Sequence, residues 1–385
     1  MKVVVAYPSL NSIGGAEKLC IHVMKALRSR NCNVTLATLD KTNWVLLKKV
    51  WHESFRPDDE FYLLPKIAKI PTLTLRQAFV ALSYTLELFL ITLTGKCDLL
   101  VNMGGEITDS MGDLIYINAI PLRLMHIYPQ IQPKQSVQWR CYSRLYSLLT
   151  RALGSSNNVI LTNSKFIQQI VQKNLRRNAL VVYPPVNVQK ISFRVKNKTR
   201  ENIAVTVSRF RSAKGLEIIP KIASRVKDCK FILIGTADAN SEECLKEISE
   251  KTKKLGVQAR VQTFVNMPLI FILEKLFTAK VFLHTQPTEA FGISIVEAMA
   301  AGCVPVVPKS GGPWFDILDQ EQGKYGYAYS SLREAAEKIQ LLMNNEQLRV
   351  QISQRAFERA KCFDRSFFER KIVDVIQKVA DSKTK

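Results

Sequence analysis

Between Leu114 and Arg200 the chain has no Asp or Glu at all, while the same stretch holds fourteen Lys and Arg. A surface built from such a segment attracts polyanions, whether nucleic acid, anionic lipid headgroups or phosphorylated substrates. No zinc-finger spacing and no RNP-like aromatic and glycine motif accompanies the charge, so no nucleic-acid partner is expected. The eight cysteines (20, 32, 97, 141, 229, 244, 303 and 362) include no C-x-x-C pair, which favours free thiols in a reducing compartment over a disulfide framework. There is no D-x-D triplet, and the four histidines (22, 52, 126 and 284) are too widely spaced for a local ligand cluster, so no metal is expected. A secretory signal is not evident either, because the run Val3–Tyr7 is stopped by Pro8 and Asn11 and suits a first strand. Ala78–Thr94 is seventeen residues with a single charge, Glu87, near its middle. It falls short of the roughly 20 apolar residues of a spanning helix and reads as a buried or membrane-facing surface helix.

What is present describes a globular protein. The 385 residues are 47% hydrophobic and 23% charged, with a formal net charge of +22. That length exceeds the roughly 250–300 residues at which a single core stops growing, so two domains are expected. Short apolar runs recur as strand candidates: Val3–Tyr7, Val34–Thr38, Leu99–Asn102, Leu114–Asn118, Val159–Asn163 and Leu180–Tyr183 in the first half. Ile203–Ser208, Lys230–Gly235, Val281–Thr285 and Val304–Val307 follow in the second. Helical patterns lie between most of them, which implies parallel sheets covered on both faces. The fold class is α/β, with two doubly wound domains. Two prolines close a strand at Tyr183-Pro184-Pro185-Val186, and a polar, basic stretch follows. The domains are therefore expected at 1–186 and 200–362, with the helical tail 363–385 packing back on the first. Val137–Leu153 interleaves Arg140, Arg144 and Arg151 with Trp139, Tyr142, Tyr146 and Leu149, a pattern that suits either a membrane interface or a surface helix whose aromatics enter the core.

The richest segment is Val281–Pro313. A strand runs into the loop Gln286–Phe291, Gly292 opens a helix, Gly302 ends it, and a further strand leads to Gly311-Gly312-Pro313. Ligands of open parallel sheets bind where loops leave the carboxyl ends of strands. A helix start there offers unpaired amides and a positive dipole end, suited to phosphate. Glu289 stands before the helix and Glu297 within it, eight positions on, so that Glu297 shares a face with Ile293 and Ser294. A carboxylate so placed can accept hydrogen bonds from two vicinal ribose hydroxyls.

Glu289-Ala-Phe-Gly-Ile-Ser-Ile-Val-Glu297 resembles the E-x7-E signature of glycosyltransferase family 4, retaining enzymes of the GT-B fold in which two Rossmann-like domains face across a cleft. Gly14-Gly15-Ala16-Glu17 resembles the family's N-terminal glycine loop. Asn163-Ser164-Lys165-Phe166 and Val182-Tyr183-Pro184-Pro185-Val186 resemble the segments that end its first domain, and Ser208-Arg209-Phe210 with Lys214-Gly215 the stretch that opens its second. The resemblance implies a nucleotide-sugar donor, with Arg209 and Lys214 clamping its diphosphate in place of a metal. Amides at Phe291, Gly292, Ile293 and Ser294 would bind phosphate, Glu297 the ribose and Glu289 the sugar hydroxyls, while Gly14 and Gly15 let the first domain's loop close on the donor. No cofactor is implied. Many relatives carry a histidine near the sugar, in Tyr-x-His-Tyr-Pro. The matching segment here is Tyr116-Ile117-Asn118-Ala119-Ile120-Pro121, and Asn118 can hydrogen-bond but cannot shuttle a proton.

His284-Thr285 before Glu289, Ser310-Gly311-Gly312-Pro313, and Tyr142–Leu148 before Asn163-Ser164 look closest to mannosyltransferases that extend polyprenol-diphosphate-linked oligosaccharides. That narrower resemblance implies GDP-mannose as donor and a lipid-diphosphate-linked glycan as acceptor. It also implies a peripheral position on an anionic membrane surface, on its cytosolic face. Two alternatives stay open at this point: a nucleotide-sugar epimerase or isomerase on the same fold, and a non-catalytic basic binding module.

Overall fold

The computed structural model describes residues 1–12, 14–51, 55–63, 73–127, 144, 146–148, 150, 157–192, 199–238 and 240–384. The chain divides into two compact units, Met1–Pro185 with Ser366–Lys385, and Val186–Arg365. The stretch after Pro185, which the sequence suggests as a linker, belongs to the second unit. Val186 forms a bridge to Asp364 and its carbonyl accepts from the Arg365 amide at 2.9 Å. The short helix Val188–Ser192 buries Val188 and Ile191.

The first unit is built on a seven-stranded, wholly parallel sheet in the order β3-β2-β1-β4-β5-β6-β7. Its strands are β1 (Lys2–Ala6), β2 (Asn33–Thr38), β3 (Asp59–Tyr62), β4 (Leu99–Asn102), β5 (Leu114–Ile117), β6 (Val159–Thr162) and β7 (Leu180–Val181). The alternation of side chains along β1 supplies two cores. Val3 and Val5 join the face covered by helix Gly15–Arg28. Val4 and Ala6 join the opposite face, with Tyr84, Leu88 and Ile91 of helix Leu73–Thr94. The C-terminal helix Arg365–Thr384 seals the first of these cores through Phe368, Ile372, Val375, Ile376 and Val379. Lys383 fastens its end to Asp113 at 2.8 Å.

Helix Leu73–Thr94 is amphipathic in an unusual sense. Its inner face buries Tyr84, Leu88 and Ile91, whereas Leu82, Leu86, Leu90 and Leu93 are 47, 50, 43 and 66% exposed. Spaced by four, four and three residues, they form one apolar outer ridge. Its Gln77–Thr94 window is apolar enough to cross a membrane by composition alone, and a third of it is buried. Of the two readings of Val137–Leu153, Tyr146 follows the one in which the aromatics enter the core: it is 2% exposed and its hydroxyl meets Thr85 Oγ1 at 2.7 Å. Trp139, Arg140, Tyr142, Leu149 and Arg151 lie outside the described residues.

The second unit carries a six-stranded parallel sheet in the order β10-β9-β8-β11-β12-β13. Its strands are β8 (Glu201–Val207), β9 (Lys230–Gly235), β10 (Val261–Val265), β11 (Ala279–Leu283), β12 (Val304–Pro308) and β13 (Tyr327–Tyr329). One continuous core joins Phe231, Leu233, Val281, Leu283, Val304 and Val306 of the sheet to Ile219, Ile222, Ile339 and Leu342 of the covering helices. The seven described cysteines, at 20, 32, 97, 229, 244, 303 and 362, carry free thiols.

Candidate active site

The site in the second unit grows from two neighbouring strands. β8 and β11 pair directly, so the loops that leave their carboxyl ends emerge side by side. After β8 the chain makes a turn over Ser212–Lys214 that ends on Gly215, whose φ of +65° is left-handed and whose amide bonds the Ser212 carbonyl. A Cβ at Gly215 would sit 3.2 Å from the Thr285 carbonyl oxygen, so glycine serves both the conformation and the approach of the two loops. Thr285 Oγ1 donates to the Lys214 carbonyl at 2.7 Å and locks that approach.

The result is a charged cluster. Lys214 Nζ donates to Glu289 Oε2 at 2.8 Å and also to Gln286 Oε1. Burial by itself would raise the Glu289 carboxyl, but the charge of Lys214, with hydrogen bonds from Lys214 and the Ala290 backbone, holds it below its ordinary value. Glu289 is thus ionised at neutral pH although its side chain is only 19% exposed. His284 behaves oppositely. Burial, reinforced by Lys214, brings its imidazole down to about 4 against the opposing pull of Glu289 and the Gln286 backbone, so it is neutral.

Glu289 leads to the helix Ile293–Ala300. Gly292 has φ of +101°, and a Cβ there would lie 2.6 Å from Ile295 Cδ1. Glycine is therefore required here first by the backbone and by Ile295. The earliest helical bond runs from the Ile295 amide to the Gly292 carbonyl at 3.0 Å, so the amides of Ile293 and Ser294 precede the helical ladder. Ile293, Ser294 and Glu297 are the half-buried positions of a helix whose other residues are buried. Phe291 points into the core, edge-on to Phe363 with ring centroids 5.3 Å apart. The Gly312 amide donates to the Glu289 carbonyl at 2.9 Å and fixes the loop from behind. Arg209, after β8, is exposed and forms no ion pair among the described residues. The structure therefore gathers Lys214, Glu289 and the helix start, and leaves Arg209 outside the cluster. Gln286 escaped the sequence reading, and His284 entered it only as part of a resemblance. The signal for both was their place between strand end and Glu289.

The remaining sequence candidates belong to the first unit. Gly15 is the first residue of its helix, with Gly14 as cap, at the carboxyl end of β1. Asn118, at the end of β5, has its side chain engaged: Nδ2 donates to the Met103 carbonyl at 3.2 Å. Its amide reaches Glu106 Oε2 at 3.3 Å. Glu106 itself was missed, although Gly104-Gly105-Glu106 after β4 mirrors Gly14-Gly15-Ala16-Glu17 after β1. Burial lifts the Glu106 carboxyl to about 7; its own amide and that of Asn118 oppose the rise, and Glu17 adds to it. Among the described residues no group of three His, Cys, Asp or Glu side chains is arranged to hold a metal ion.

Residues 187–359 match the family model described as glycosyl transferases group 1. The second unit carries a glycosyl transferases group 1 domain. Curated relatives of the chain include proteins named GDP-Man:Man(3)GlcNAc(2)-PP-Dol alpha-1,2-mannosyltransferase. That of Neurospora crassa is 30% identical over 279 residues, covering 63% of this chain and 49% of the relative. That of Dictyostelium discoideum is 26% identical over 255 residues, covering 61% and 50%. The chain thus spans about half the length of the curated relatives it matches. Among solved structures, a Rickettsia africae glycosyltransferase superposes with a TM-score of 0.69 at 16% identity, covering 98% of each chain. Two parallel-sheet units carrying the group 1 domain in the second make this a GT-B fold.

Proposed function

We propose that the chain is a retaining glycosyltransferase that moves mannose from GDP-mannose to a polyprenol- or dolichol-diphosphate-linked glycan at the cytosolic face of a membrane. The observation that carries the reading is the ionised, largely buried Glu289 beside the open helix start at Gly292-Ile293-Ser294, with Glu297 on the same helix. Resemblance to family 4 and the names of the relatives support the donor and acceptor classes. In this reading the amides of Gly292–Ser294, Lys214 and Arg209 hold the diphosphate, Glu297 the ribose and Glu289 the sugar. Gly14 and Gly15 are the further donor-binding residues that the resemblance implies, and Asn118 the acceptor-side one. Preorganised cations neutralise the leaving diphosphate without a metal or other cofactor. The bond from the anomeric carbon to the phosphate oxygen breaks as the acceptor hydroxyl attacks from the same face. The departing phosphate oxygen takes the hydroxyl proton. Two carboxylates assigned to donor binding leave no pair for a double-displacement route of the glycosidase kind.

The test is transfer by the purified full chain from GDP-mannose to a synthetic lipid-diphosphate oligosaccharide, with mass spectrometry for the product and NMR for its anomeric configuration. An added hexose in the α configuration is the expected product. Turnover of the sugar nucleotide without acceptor into another sugar nucleotide would place the protein among epimerases or isomerases, and absence of any sugar-nucleotide binding would refute the reading.

A further inference from the structure

His284 is a site group whose chemistry the transfer reading leaves unused. It is 5% exposed, and its Nε2 has no hydrogen-bond partner. The ring is bonded to the Gln286 backbone. With Nε2 unpartnered, that bond falls to Nδ1, which carries the proton in the neutral ring and leaves a bare lone pair on Nε2. Nε2 lies 3.8 Å from Glu289 Oε2. Two acceptors thus face each other in a place shielded from water, an arrangement that is unfavourable unless a hydrogen-bond donor lies against both.

In the structure that role is partly taken by Lys214, whose ammonium holds the same Oε2 at 2.8 Å. A lysine that moves to the diphosphate releases this oxygen, and the space beside Oε2 and Nε2 then suits a polyol. Two adjacent hydroxyl oxygens, each about 2.8 Å from one of the two atoms, are compatible with their separation, since each hydroxyl carries a single hydrogen. Neither acceptor can give a hydrogen, so the pair selects for hydroxyl donors and rejects a deoxy position.

We infer that His284 is a specificity-determining residue: its Nε2 and the Glu289 carboxylate together accept hydrogen bonds from adjacent hydroxyls of the transferred sugar after Lys214 has turned to the diphosphate. The inference rests on the proposed transfer reading. Other elements hold the ring's backbone in place: the His284 amide donates to the Val306 carbonyl at 2.9 Å, and the Tyr329 hydroxyl donates to the His284 carbonyl at 2.9 Å. Replacing the ring therefore leaves the strand end anchored.

The experiment titrates GDP, GDP-mannose, UDP and UDP-glucose into wild-type, His284→Phe and His284→Gln full-length protein by calorimetry. If the wild type binds neither sugar nucleotide, the transfer reading fails, and this inference falls with it. If it binds one, His284→Phe is expected to weaken the sugar nucleotide by roughly tenfold, the worth of one buried hydrogen bond, while binding of the nucleoside diphosphate changes less than about twofold. His284→Gln, whose amide oxygen can accept, is expected to recover part of the loss. Sugar-nucleotide affinity unchanged in His284→Phe, or an equal loss for sugar nucleotide and nucleoside diphosphate, overturns the inference and leaves the transfer reading standing.

Discussion

Glu87 offers a sharp test of how the first unit is held together. It lies on helix Leu73–Thr94, is 1% exposed, and neither carboxyl oxygen has a hydrogen-bond partner. Burial alone lifts its carboxyl from 4.5 to about 8. The folded state therefore binds a proton that the unfolded chain releases, so stability falls as pH rises between these values. At pH 5.5 the penalty is about 1.4 kcal/mol and at pH 8.0 about 4 kcal/mol, taking about 1.36 kcal/mol per pH unit. Glu87→Gln has nothing to titrate. Urea unfolding of both proteins at pH 5.5 and 8.0 cancels every other group that titrates alike in the two. The wild type is expected to lose about 3 kcal/mol more than the variant across that interval. Equal pH dependence of the two proteins would refute the assignment of Glu87 as a buried neutral acid.

Three further outcomes follow from the geometry. Gly292→Ala forces a side chain into left-handed backbone and against Ile295, so it should cost about 1–3 kcal/mol and abolish donor binding; a variant with unchanged melting and unchanged donor affinity contradicts that. The full chain should float with anionic vesicles at low salt and less so at high salt, and Leu86→Asp with Leu90→Asp should reduce flotation by breaking the apolar ridge. An unaltered floating fraction for the double variant would remove the ridge from the membrane argument. Dialysis against EDTA should leave transfer at its original rate, since Lys214 and Arg209 supply the countercharge; loss of activity restored by magnesium or manganese would show a metal requirement.

The strands easiest to read from the sequence are the interior ones. β1, β4 and β5 in one sheet, and β8 and β12 in the other, are continuous apolar runs because both faces of an interior parallel strand are covered. The three strands that were missed, β3, β10 and β13, are all edge strands. Asp59–Tyr62 has no buried residue and Val261–Val265 only one, so the physics that makes an edge polar also erases its signature. β13 is buried but only three residues long. β7, at the remaining edge, closes two residues earlier than its apolar run suggests.

At the site, Glu289, Gly292 and Glu297 were legible because two carboxylates and a glycine at fixed spacing frame a helix start. The pairing of Lys214 with Glu289, 75 positions apart, depends on β8 and β11 being neighbours, which local pattern does not encode. Gly292 shows a subtler difference: the residue type was readable, but its first cause is the Ile295 side chain and the sign of φ.

The most direct measurement of whether the helix start holds a sugar nucleotide is calorimetric titration of GDP-mannose into wild-type and Glu297→Ala protein. Saturable binding to the wild type, weakened at least about tenfold in a variant that melts at the same temperature, is the predicted result. Equal affinity in the two proteins would contradict it.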